Sequence, residues 1–299
     1  MSGLKVLVLG AGGMLGHKLV QRLPGNGFDT WAGVRVLSEE FARYGIAREE
    51  KIVGGIDATN PDSFRMAIES VGPDAVINAI GVIKQKEVAE QAANTIEINS
   101  LFPHRLNEIC REAGARLVHI STDCVFAGTS GGYTEADAPD AQDLYGRSKA
   151  LGEVSSEGAV TIRTSIIGRE LRSSHGLLEW FISNAGGTVR GFVNAYFSGF
   201  TTEALAGVIA SKILDISDMK GIYHVASERI SKYGLLNRVN ERLELGITIE
   251  PDEALVIDRS LDASRFSEET GFAAPTWDEM IEGLAKDASP YEEWRKPST

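Results

Sequence analysis

Short apolar segments recur through the first half of the chain, and the stretches between them are long enough to form helices. The segments are nearly continuous aliphatic runs, such as Ala75-Val76-Ile77, and do not alternate with polar residues. Such runs are typical of parallel strands that helices cover on both faces of a sheet. We therefore predict an α/β fold built on a Rossmann-type doubly wound parallel sheet. The predicted strands are Lys5–Leu9, Thr30–Gly33, Lys51–Ile56, Asp74–Ala79 and Arg116–Ser121.

Signals for helices lie between and after these strands. Asn60-Pro61 predicts a capped helix start, and residues 94–114 form an amphipathic pattern that we expect to kink at Pro103. Beyond Ile167, glycines interrupt the pattern, so we predict a smaller C-terminal substrate-binding lobe. Further elements are predicted as helices near 202–214 and 277–284, a strand at 221–225 and a tail from Pro290 onward.

Composition and charge narrow the classes of function. The 299 residues are 43% hydrophobic and 24% charged, as in ordinary globular proteins, and the formal net charge is −12. This acidity argues against nucleic acid as a partner, because phosphate backbones attract basic surfaces. The N-terminal apolar run is too short for a signal peptide or a membrane span, so we expect no membrane association. Cys110 and Cys124 form no CxxC pair, which favours a reducing cytoplasm.

A glycine-rich segment, Gly10-Ala11-Gly12-Gly13-Met14-Leu15-Gly16, follows the first predicted strand and precedes a helical pattern. In dinucleotide-binding folds the first glycine permits the tight turn, the second lets the backbone approach the pyrophosphate, and the third allows close helix packing. The alternative is a glycine-rich turn without a ligand. The position of the motif favours a ligand, and we predict a nicotinamide dinucleotide bound by Gly10, Gly13, Met14, Leu15 and Gly16.

Arg35 follows the second predicted strand, where NAD sites often have an acidic residue for the ribose. An arginine there is able to meet a 2′-phosphate, so NADPH is the preferred cofactor and NADH the second choice. A solvated loop arginine is the alternative for Arg35. The remaining candidates for the cofactor site follow the third and fourth strands and lie in the next helix. They are Asp57, Ala58, Asn78, Ala79, Ile80, Gly81 and Asn99.

Tyr145 and Lys149 lie four residues apart, so a helix places both side chains on one face. A neighbouring cation lowers the pKa of a phenol, and we predict this role for Lys149. Thr122 and Asp123 come just after the fifth strand, at the edge where open α/β sheets bind ligands, although capping the strand end is their alternative role. Together the residues predict carbonyl reduction in which nicotinamide supplies hydride, Thr122 holds the oxygen and Tyr145 protonates it.

The histidines give no sign of a metal site. They share no HxxxH or similar ligand spacing, so structural or surface roles account for them better. We therefore expect no obligatory metal. The histidines in question are His17, His104, His119, His175 and His224.

In combination, the motifs resemble those of the dTDP-4-dehydrorhamnose reductase family of extended short-chain dehydrogenases/reductases. The resemblance extends from the first strand to Gly221-Ile222-Tyr223-His224-Val225-Ala226 and covers most of the chain. The segments that carry it are the GxxGxxG turn, Ser121-Thr122-Asp123-Cys124-Val125-Phe126-Ala127-Gly128, Tyr145-Gly146-Arg147-Ser148-Lys149 with Gly152-Glu153, and Ile162-Arg163-Thr164-Ser165.

The resemblance implies reduction of the 4-keto group of a nucleotide-linked 4-dehydro-6-deoxysugar by NAD(P)H. Thr122, Tyr145 and Lys149 would be the catalytic triad. Residues 1–167 would form the Rossmann domain, with 168–299 mainly the nucleotide-sugar lobe and some segments returning to the main domain. A homodimer is a further expectation from the family. The substrate-binding residues would be Thr122, Asp123, Cys124, Arg163 and Ile166.

Two positions depart from the family pattern. Cys124 stands where tyrosine is common, and Ile166 where tryptophan is common, both beside the sugar in that family. A smaller, less aromatic pocket fits a bulkier ring substituent, so a UDP-linked N-acetylated 4-ketosugar is an alternative to a dTDP-deoxyhexulose.

Other functions remain compatible with these motifs. A dehydratase is disfavoured, because Cys124 occupies the place of the second residue of the Asp-Glu pair that such enzymes use. An epimerase that reuses bound NAD is compatible with the triad, and a nucleotide-binding regulatory subunit is the non-enzymatic alternative.

Overall fold

The computed structural model describes residues 3–82, 92–172, 176–216 and 218–295. Seven of the strands in this part of the chain form one all-parallel sheet, in the order 11-6-5-4-1-2-3 when strands are numbered along the chain. The order reverses at strand 1, as in doubly wound folds, and confirms the predicted fold class. The strands are β1 (Lys5–Leu9), β2 (Asp29–Gly33), β3 (Ile52–Val53), β4 (Ala75–Asn78), β5 (Arg116–Ile120), β6 (Ala159–Arg163), β7 (Ile166–Ile167), β8 (Thr188–Phe192), β9 (Ala195–Phe197), β10 (Phe200–Thr201), β11 (Gly221–His224), β12 (Ile230–Ser231), β13 (Thr248–Asp252) and β14 (Ile257–Asp258).

Helices cover both faces of the sheet. Short 3₁₀ turns and two π-helical turns, at Glu97–Leu101 and Ile209–Ile213, supplement them. The α-helices are α1 (Gly16–Arg22), α2 (Ser38–Ala42), α3 (Pro61–Val71), α4 (Ala92–Ile96), α5 (Phe102–Glu112), α6 (Leu144–Leu151), α7 (Leu177–Ile182), α8 (Thr202–Val208), α9 (Lys232–Arg242), α10 (Ser264–Thr270), α11 (Trp277–Ala285) and α12 (Tyr291–Trp294).

The continuous apolar runs are explained by burial on both sides of the sheet. In β1, Val6 and Val8 enter one core, whereas Leu7 and Leu9 enter the core on the opposite face, and all four are fully buried. Successive side chains of a strand point to opposite faces, so each strand needs apolar residues at consecutive positions.

The second half of the chain contributes to both parts of the molecule. β11 completes the edge of the main sheet beside β6, and α8 packs against α1. The pairs β8·β13, β9·β12 and β9·β14 form two small sheets outside the main one. The domain boundary at residue 167 stays a prediction, but segments after it plainly belong to the main sheet.

Two local expectations need adjustment. The predicted long helix is one continuous helical stretch made of α4, a π-helical turn and α5. Pro103 comes two residues after the π-helical turn, which is where the backbone departs from regular α-helical geometry. The predicted tail from Pro290 is wrong for residues 291–295, because they include α12, and Tyr291 is almost completely buried. Its aromatic ring supplies the apolar area that keeps this short segment on the protein.

Candidate active site

The glycine segment forms a tight turn between β1 and α1. Gly10 has a φ of +82°, a conformation that favours glycine, and the Gly10 and Ala11 amides donate to the Gly33 carbonyl at 3.0 and 3.1 Å. A Cβ on Gly16 would lie 2.1 Å from the Gly10 carbonyl oxygen, so only glycine lets α1 begin this close to the turn. Gly13 is exposed, Met14 is half-buried and Leu15 is buried. The first and third glycines therefore have the geometry that the motif requires, and the exposed middle of the turn fits a diphosphate.

Arg35 and Asp57 lie near one another beyond β2 and β3, and both are exposed. The Thr59 amide and hydroxyl hydrogen-bond the Asp57 carboxylate and lower its pKa, and the positive charge of Arg35 lowers it further. Ala58 is buried beside them. The pair thus offers a cation and a carboxylate at one edge of the turn.

Two predicted cofactor residues use their side chains inside the protein. The Asn78 Oδ1 accepts from the Ile80 amide at 3.0 Å, and its Nδ2 lies 3.1 Å from the His119 Nδ1. Asn99 lies in the first π-helical turn and bonds both the amide and the carbonyl of Val82, at 2.8 and 3.0 Å. The side-chain amides of Asn78 and Asn99 thus hold the backbone after β4 in place. The surface of that backbone is left to bind a ligand.

The same loop approaches both the glycine turn and the catalytic helix. A Cβ on Gly10 would lie 3.0 Å from the Ala79 backbone, and one on Gly81 would lie 3.9 Å from the Lys149 Nζ. The Asn99 Nδ2 also donates to the Ser148 Oγ at 3.2 Å, next to Lys149 in α6. The structure therefore brings the predicted cofactor residues and the predicted catalytic lysine to one edge of the sheet.

Thr122 caps the 3₁₀ turn Asp123–Val125 that follows β5. Its Oγ1 accepts from the Cys124 amide and donates to the Asp123 carboxylate, both at 3.1 Å. The same side chain lies close enough to the Tyr145 hydroxyl to affect its pKa. The capping role considered for Thr122 is therefore real, and it fixes the hydroxyl where it meets the phenol.

α6 holds Tyr145 and Lys149 against this turn. Asp143 caps the helix by accepting from the Gly146 amide at 2.9 Å, and a Cβ on Gly146 would lie 2.1 Å from the Cys124 carbonyl oxygen. A glycine after Tyr145 is thus required for the close approach. Lys149 is buried and its Nζ donates to the Ile120 carbonyl at 2.7 Å.

Burial dominates the electrostatics of this pair. It raises the pKa of Tyr145 well above the usual value, the neighbouring Cys124 and Asp123 add to this, and the hydrogen bond with Thr122 acts in the opposite direction. Burial also lowers the pKa of Lys149 to about 8, against a smaller opposing effect of Glu153. The predicted lowering of the Tyr145 pKa by Lys149 is therefore wrong for this structure, because desolvation of the phenolate is the larger effect.

Two of the predicted substrate residues, Asp123 and Cys124, lie beside Tyr145, and Ile166 lies in β7. Asp123 is buried, which raises its pKa, while the Arg259 cation and hydrogen bonds from Thr122, Cys124 and Ser165 act against that rise. Cys124 is partly exposed. Ile166, in β7, is half-buried and packs at the margin of the larger core.

Arg163 does not join them. It is 2% exposed, and its guanidinium is bonded in bidentate fashion to Glu153 at 2.8 and 2.7 Å, with His224 at 3.2 Å. The Glu153 carboxylate also accepts from the Ser121 hydroxyl at 2.8 Å. The guanidinium is thus used inside the protein, and these contacts give no support to the prediction that Arg163 binds substrate.

Arg259 was not predicted and lies close to the site. From just beyond β14, its Nη1 donates to the Cys124 Sγ at 3.7 Å and its Nε to the Phe126 carbonyl at 2.9 Å. More than 130 residues separate these partners along the chain. No local motif marks Arg259, so only the folded chain reveals it.

The described residues contain neither a metal-binding group nor a membrane-spanning helix. They contain no group of three or more His, Cys, Asp or Glu side chains able to hold a metal ion. No helix in that part of the chain combines the length and apolar character needed to cross a membrane. Of the histidines considered above, His175 lies outside the described residues.

The doubly wound sheet, the glycine turn and the Thr122, Tyr145 and Lys149 side chains at its carboxyl edge define an extended short-chain dehydrogenase/reductase. Within that class, the chain belongs to the family described as the RmlD substrate binding domain, whose model matches residues 4–289. The resemblance to dTDP-4-dehydrorhamnose reductases is confirmed at the level of the family.

Several individual proteins are similar to this chain in sequence. The chain is 30% identical over 166 residues to the dTDP-4-dehydrorhamnose reductase of Aggregatibacter actinomycetemcomitans, covering 54% of this chain and 51% of that protein. It thus spans about half the length of that relative. It is also 26% identical over 254 residues to methionine adenosyltransferase 2 subunit beta of Danio rerio, covering 81% of this chain and 74% of that protein.

Solved structures agree on the fold. The dTDP-4-dehydrorhamnose reductase of Bacillus anthracis, in complex with NADP, has a TM-score of 0.78 at 19% identity, covering 95% of this chain and 99% of the other. At this identity the likeness bears on the fold alone.

Proposed function

We propose that this protein is an NAD(P)H-dependent reductase of the 4-keto group of a nucleotide-linked 4-dehydro-6-deoxysugar. The observation that carries the proposal is the placement of Thr122, Tyr145 and the buried Lys149 together, at the edge of the sheet that also holds the glycine turn. The family relationship supports the same reaction class.

The residues divide the work of the reaction. Bound NAD(P)H would supply the hydride. Tyr145 keeps its proton at neutral pH because burial raises its pKa, so it is ready to donate that proton to the oxygen of the reduced carbonyl. Thr122 would donate its hydroxyl to the same oxygen, which requires that hydroxyl to turn from the Asp123 carboxylate that accepts it in the structure. Lys149, anchored on the Ile120 carbonyl, places a cation beside the developing negative charge.

NADPH is the cofactor that the site favours. The turn between Gly10 and Gly16 presents exposed backbone at Gly13, where a diphosphate meets amides at the start of a helix. Arg35 is exposed at the adjoining edge, with no carboxylate at the end of β2 to select a free ribose hydroxyl. The NADP complex of the similar Bacillus anthracis protein is in keeping with this choice.

The substrate is a nucleotide sugar of either dTDP-deoxyhexulose or UDP-N-acetylated 4-ketosugar type. Cys124 and Ile166 leave less aromatic surface near Thr122 than the family pattern would. We favour neither nucleotide, and the two types are the first pair of substrates to compare.

The test is oxidation of NADPH, followed by its absorbance, with each type of 4-ketosugar. The reductase consumes NADPH in proportion to the sugar added, whereas an epimerase would turn over with tightly bound NAD and consume none. Strict preference for the dTDP-linked sugar would overturn the idea that Cys124 and Ile166 admit an N-acetylated ring.

Tyr145→Phe separates catalysis from cofactor binding. Removal of the acidic proton is expected to lower kcat by about 100-fold or more while the Kd for NADPH stays within about twofold. Tyr223→Phe is the matched control, because it removes a buried hydroxyl that bonds Glu269 away from the site. Biological activity that survives Tyr145→Phe would favour the regulatory-subunit role suggested by the similarity to the Danio rerio protein.

A further inference from the structure

The segment Asp287–Arg295 lies against α1, which begins at the glycine turn, and against Glu170 and Glu179. Within it, Tyr291 is buried and makes an edge-to-face contact with the ring of His17 in α1, with centroids 5.7 Å apart. Most of the segment, from Pro290 on, lies beyond residues 4–289, where the family model ends. Its contacts are therefore a feature of this chain that the family match does not cover.

The first connection reaches the glycine turn through His17. The Gly13 carbonyl accepts two hydrogen bonds from this residue, one from the amide at 3.1 Å and one from the ring Nδ1 at 2.9 Å. In a trans peptide the C=O and the following N–H point in opposite directions. Fixing the Gly13 carbonyl toward α1 therefore fixes the Met14 N–H away from α1.

Tyr291 completes the hydrogen bonding of that ring. Because the Gly13 carbonyl can only accept, the His17 Nδ1 must carry the proton. His17 is neutral at pH 7, since burial lowers its pKa to about 4, and its Nε2 is therefore an acceptor. The Tyr291 hydroxyl has one hydrogen and lies 2.9 Å from two acceptors, this Nε2 and the Asp287 carboxylate. The carboxylate also accepts from Lys18 and from the Ser289 amide, so we assign the Tyr291 hydrogen to Nε2. Lys18 binds the same carboxylate at 2.5 Å, so the whole chain of contacts is held in the interior.

A second connection runs from Arg295 through Glu170 and Gly176 to Met14 in the glycine turn. Arg295 donates to the Glu170 carbonyl from Nη2 at 2.6 Å and from Nε at 3.2 Å, and it is paired with the buried Glu179. The Glu170 carboxylate accepts from the Gly176 amide at 3.0 Å. Gly176 lies directly on Met14, because a Cβ there would be 2.7 Å from the Met14 Cε.

We infer that Asp287–Arg295 is a positioning element for the cofactor turn, and that Tyr291 is a positioning residue that acts through His17 on the Gly13–Met14 peptide. The inference rests on the proposed use of NAD(P)H. Its consequence is that this segment sets the affinity for the dinucleotide and leaves the chemistry at Tyr145 unchanged.

The test is the Kd for NADPH of the full-length protein, measured by calorimetry, after Tyr291→Phe. The variant keeps the buried ring and loses the hydroxyl that bonds His17. Loss of that one hydrogen bond is expected to weaken NADPH binding about fivefold. kcat at saturating NADPH should change by less than about twofold, so the effect falls on KM and not on kcat.

Two substitutions of His17 test whether the effect of Tyr291 passes through the Gly13 carbonyl. His17→Leu removes the donor to the Gly13 carbonyl and is expected to weaken NADPH binding about tenfold, whereas His17→Asn keeps an amide donor at the Nδ1 position and should recover most of that loss. Tyr223→Phe is again the matched control: it removes a buried phenol hydroxyl elsewhere, so a similar fall in Tm without a change in Kd is expected.

The outcomes separate the two hypotheses. A wild-type protein that binds no NADPH would refute the proposed function and the inference with it. Wild-type binding with an unchanged Kd in Tyr291→Phe, or an equal loss in Tyr223→Phe, would refute the inference alone. Equal affinities of His17→Leu and His17→Asn would exclude the Gly13 carbonyl as the point of action.

Discussion

Single residues decide which of the predicted groups face a ligand. Arg163 follows the motif order expected of a substrate-binding residue, yet the guanidinium is used by Glu153 and His224 in the interior. The sequence contains both Glu153 and Arg163, but their separation of ten residues places them in a loop and a strand whose approach depends on the fold. Spacing identified Tyr145 and Lys149 correctly as neighbours because one helix fixes their geometry.

Glu153→Gln tests whether Arg163 is structural. Both side chains are almost completely buried, and removal of one charge leaves the other without its partner, so the free energy of unfolding should fall by about 3 kcal/mol. The KM for the nucleotide sugar should stay within about twofold. Urea unfolding and steady-state kinetics measure the two quantities.

An exposed ion pair supplies the control for that change. Glu112 binds Arg65 at 2.6 Å with both side chains largely exposed, and Glu112→Gln should cost less than about 1 kcal/mol. The structural role of Arg163 would be refuted if Glu153→Gln lowered the free energy of unfolding no more than Glu112→Gln and raised the KM for the nucleotide sugar tenfold. That result would support substrate binding by Arg163.

Among the elements, the glycine turn is the one whose geometry the sequence predicted most fully. Its three glycines meet separate requirements, a positive φ at Gly10, exposed backbone at Gly13 and close packing at Gly16. The six strands of the main sheet that were predicted with bounds lie within a few residues of those observed, because burial on both faces leaves a continuous apolar run, whereas β6 was not assigned bounds. Local pattern was sufficient in both cases.

Gly16→Ala tests the packing requirement. The added methyl would overlap the Gly10 carbonyl, so the turn and α1 must move apart, and we expect the free energy of unfolding to fall by about 1–3 kcal/mol. NADPH binding should weaken in parallel, because the displaced atoms belong to the turn. Thermal unfolding and NADPH titration measure these effects.

Gly207 is the matched control within another helix. It lies exposed in α8 with open space around it, so Gly207→Ala should raise the free energy of unfolding by up to about 1 kcal/mol. An equal gain from Gly16→Ala would show that the close approach at Gly10 has no energetic importance.

Elements outside the main sheet were much harder to predict. β7, β10, β12 and β14 each have two residues, and their partners lie far away in sequence, so no periodic pattern can develop within them. Arg259 reaches Cys124 from this region, so no sequence motif indicates its place at the site. The long helix contains a π-helical turn at Asn99 that residue types alone do not encode.

At the scale of the whole molecule, the chain returns repeatedly to the main sheet. β11 completes its edge, and α12 packs beside α1, the helix that follows the interior strand β1. Both segments return to the sheet because they bury apolar and aromatic surface. Composition gives the total amount of such surface but does not show which segments bury it together. His17, His119 and His224 are completely buried, and burial lowers the pKa of each imidazole.

Three buried neutral histidines make the fold sensitive to mild acid. The unfolded chain takes up protons near pH 6.5, whereas native His17 does so only near pH 4, so the unfolded state binds more protons between these values. Stability is therefore full above pH 6.5 and falls as pH decreases. For His17 alone we expect a loss of about 1 kcal/mol between pH 7.5 and 5.5, with further losses from His119 and His224.

The net charge of −12 acts in the opposite direction, because protonation relieves repulsion among carboxylates. Exposed carboxylates titrate near pH 4, so between pH 7.5 and 5.5 they stay ionised and the histidines dominate. Urea unfolding at the two pH values measures the balance. His17→Asn should reduce the pH dependence by about 1 kcal/mol, and Gly207→Ala should leave it unchanged. A stability that rises on acidification would mean that charge repulsion outweighs the burial of these imidazoles.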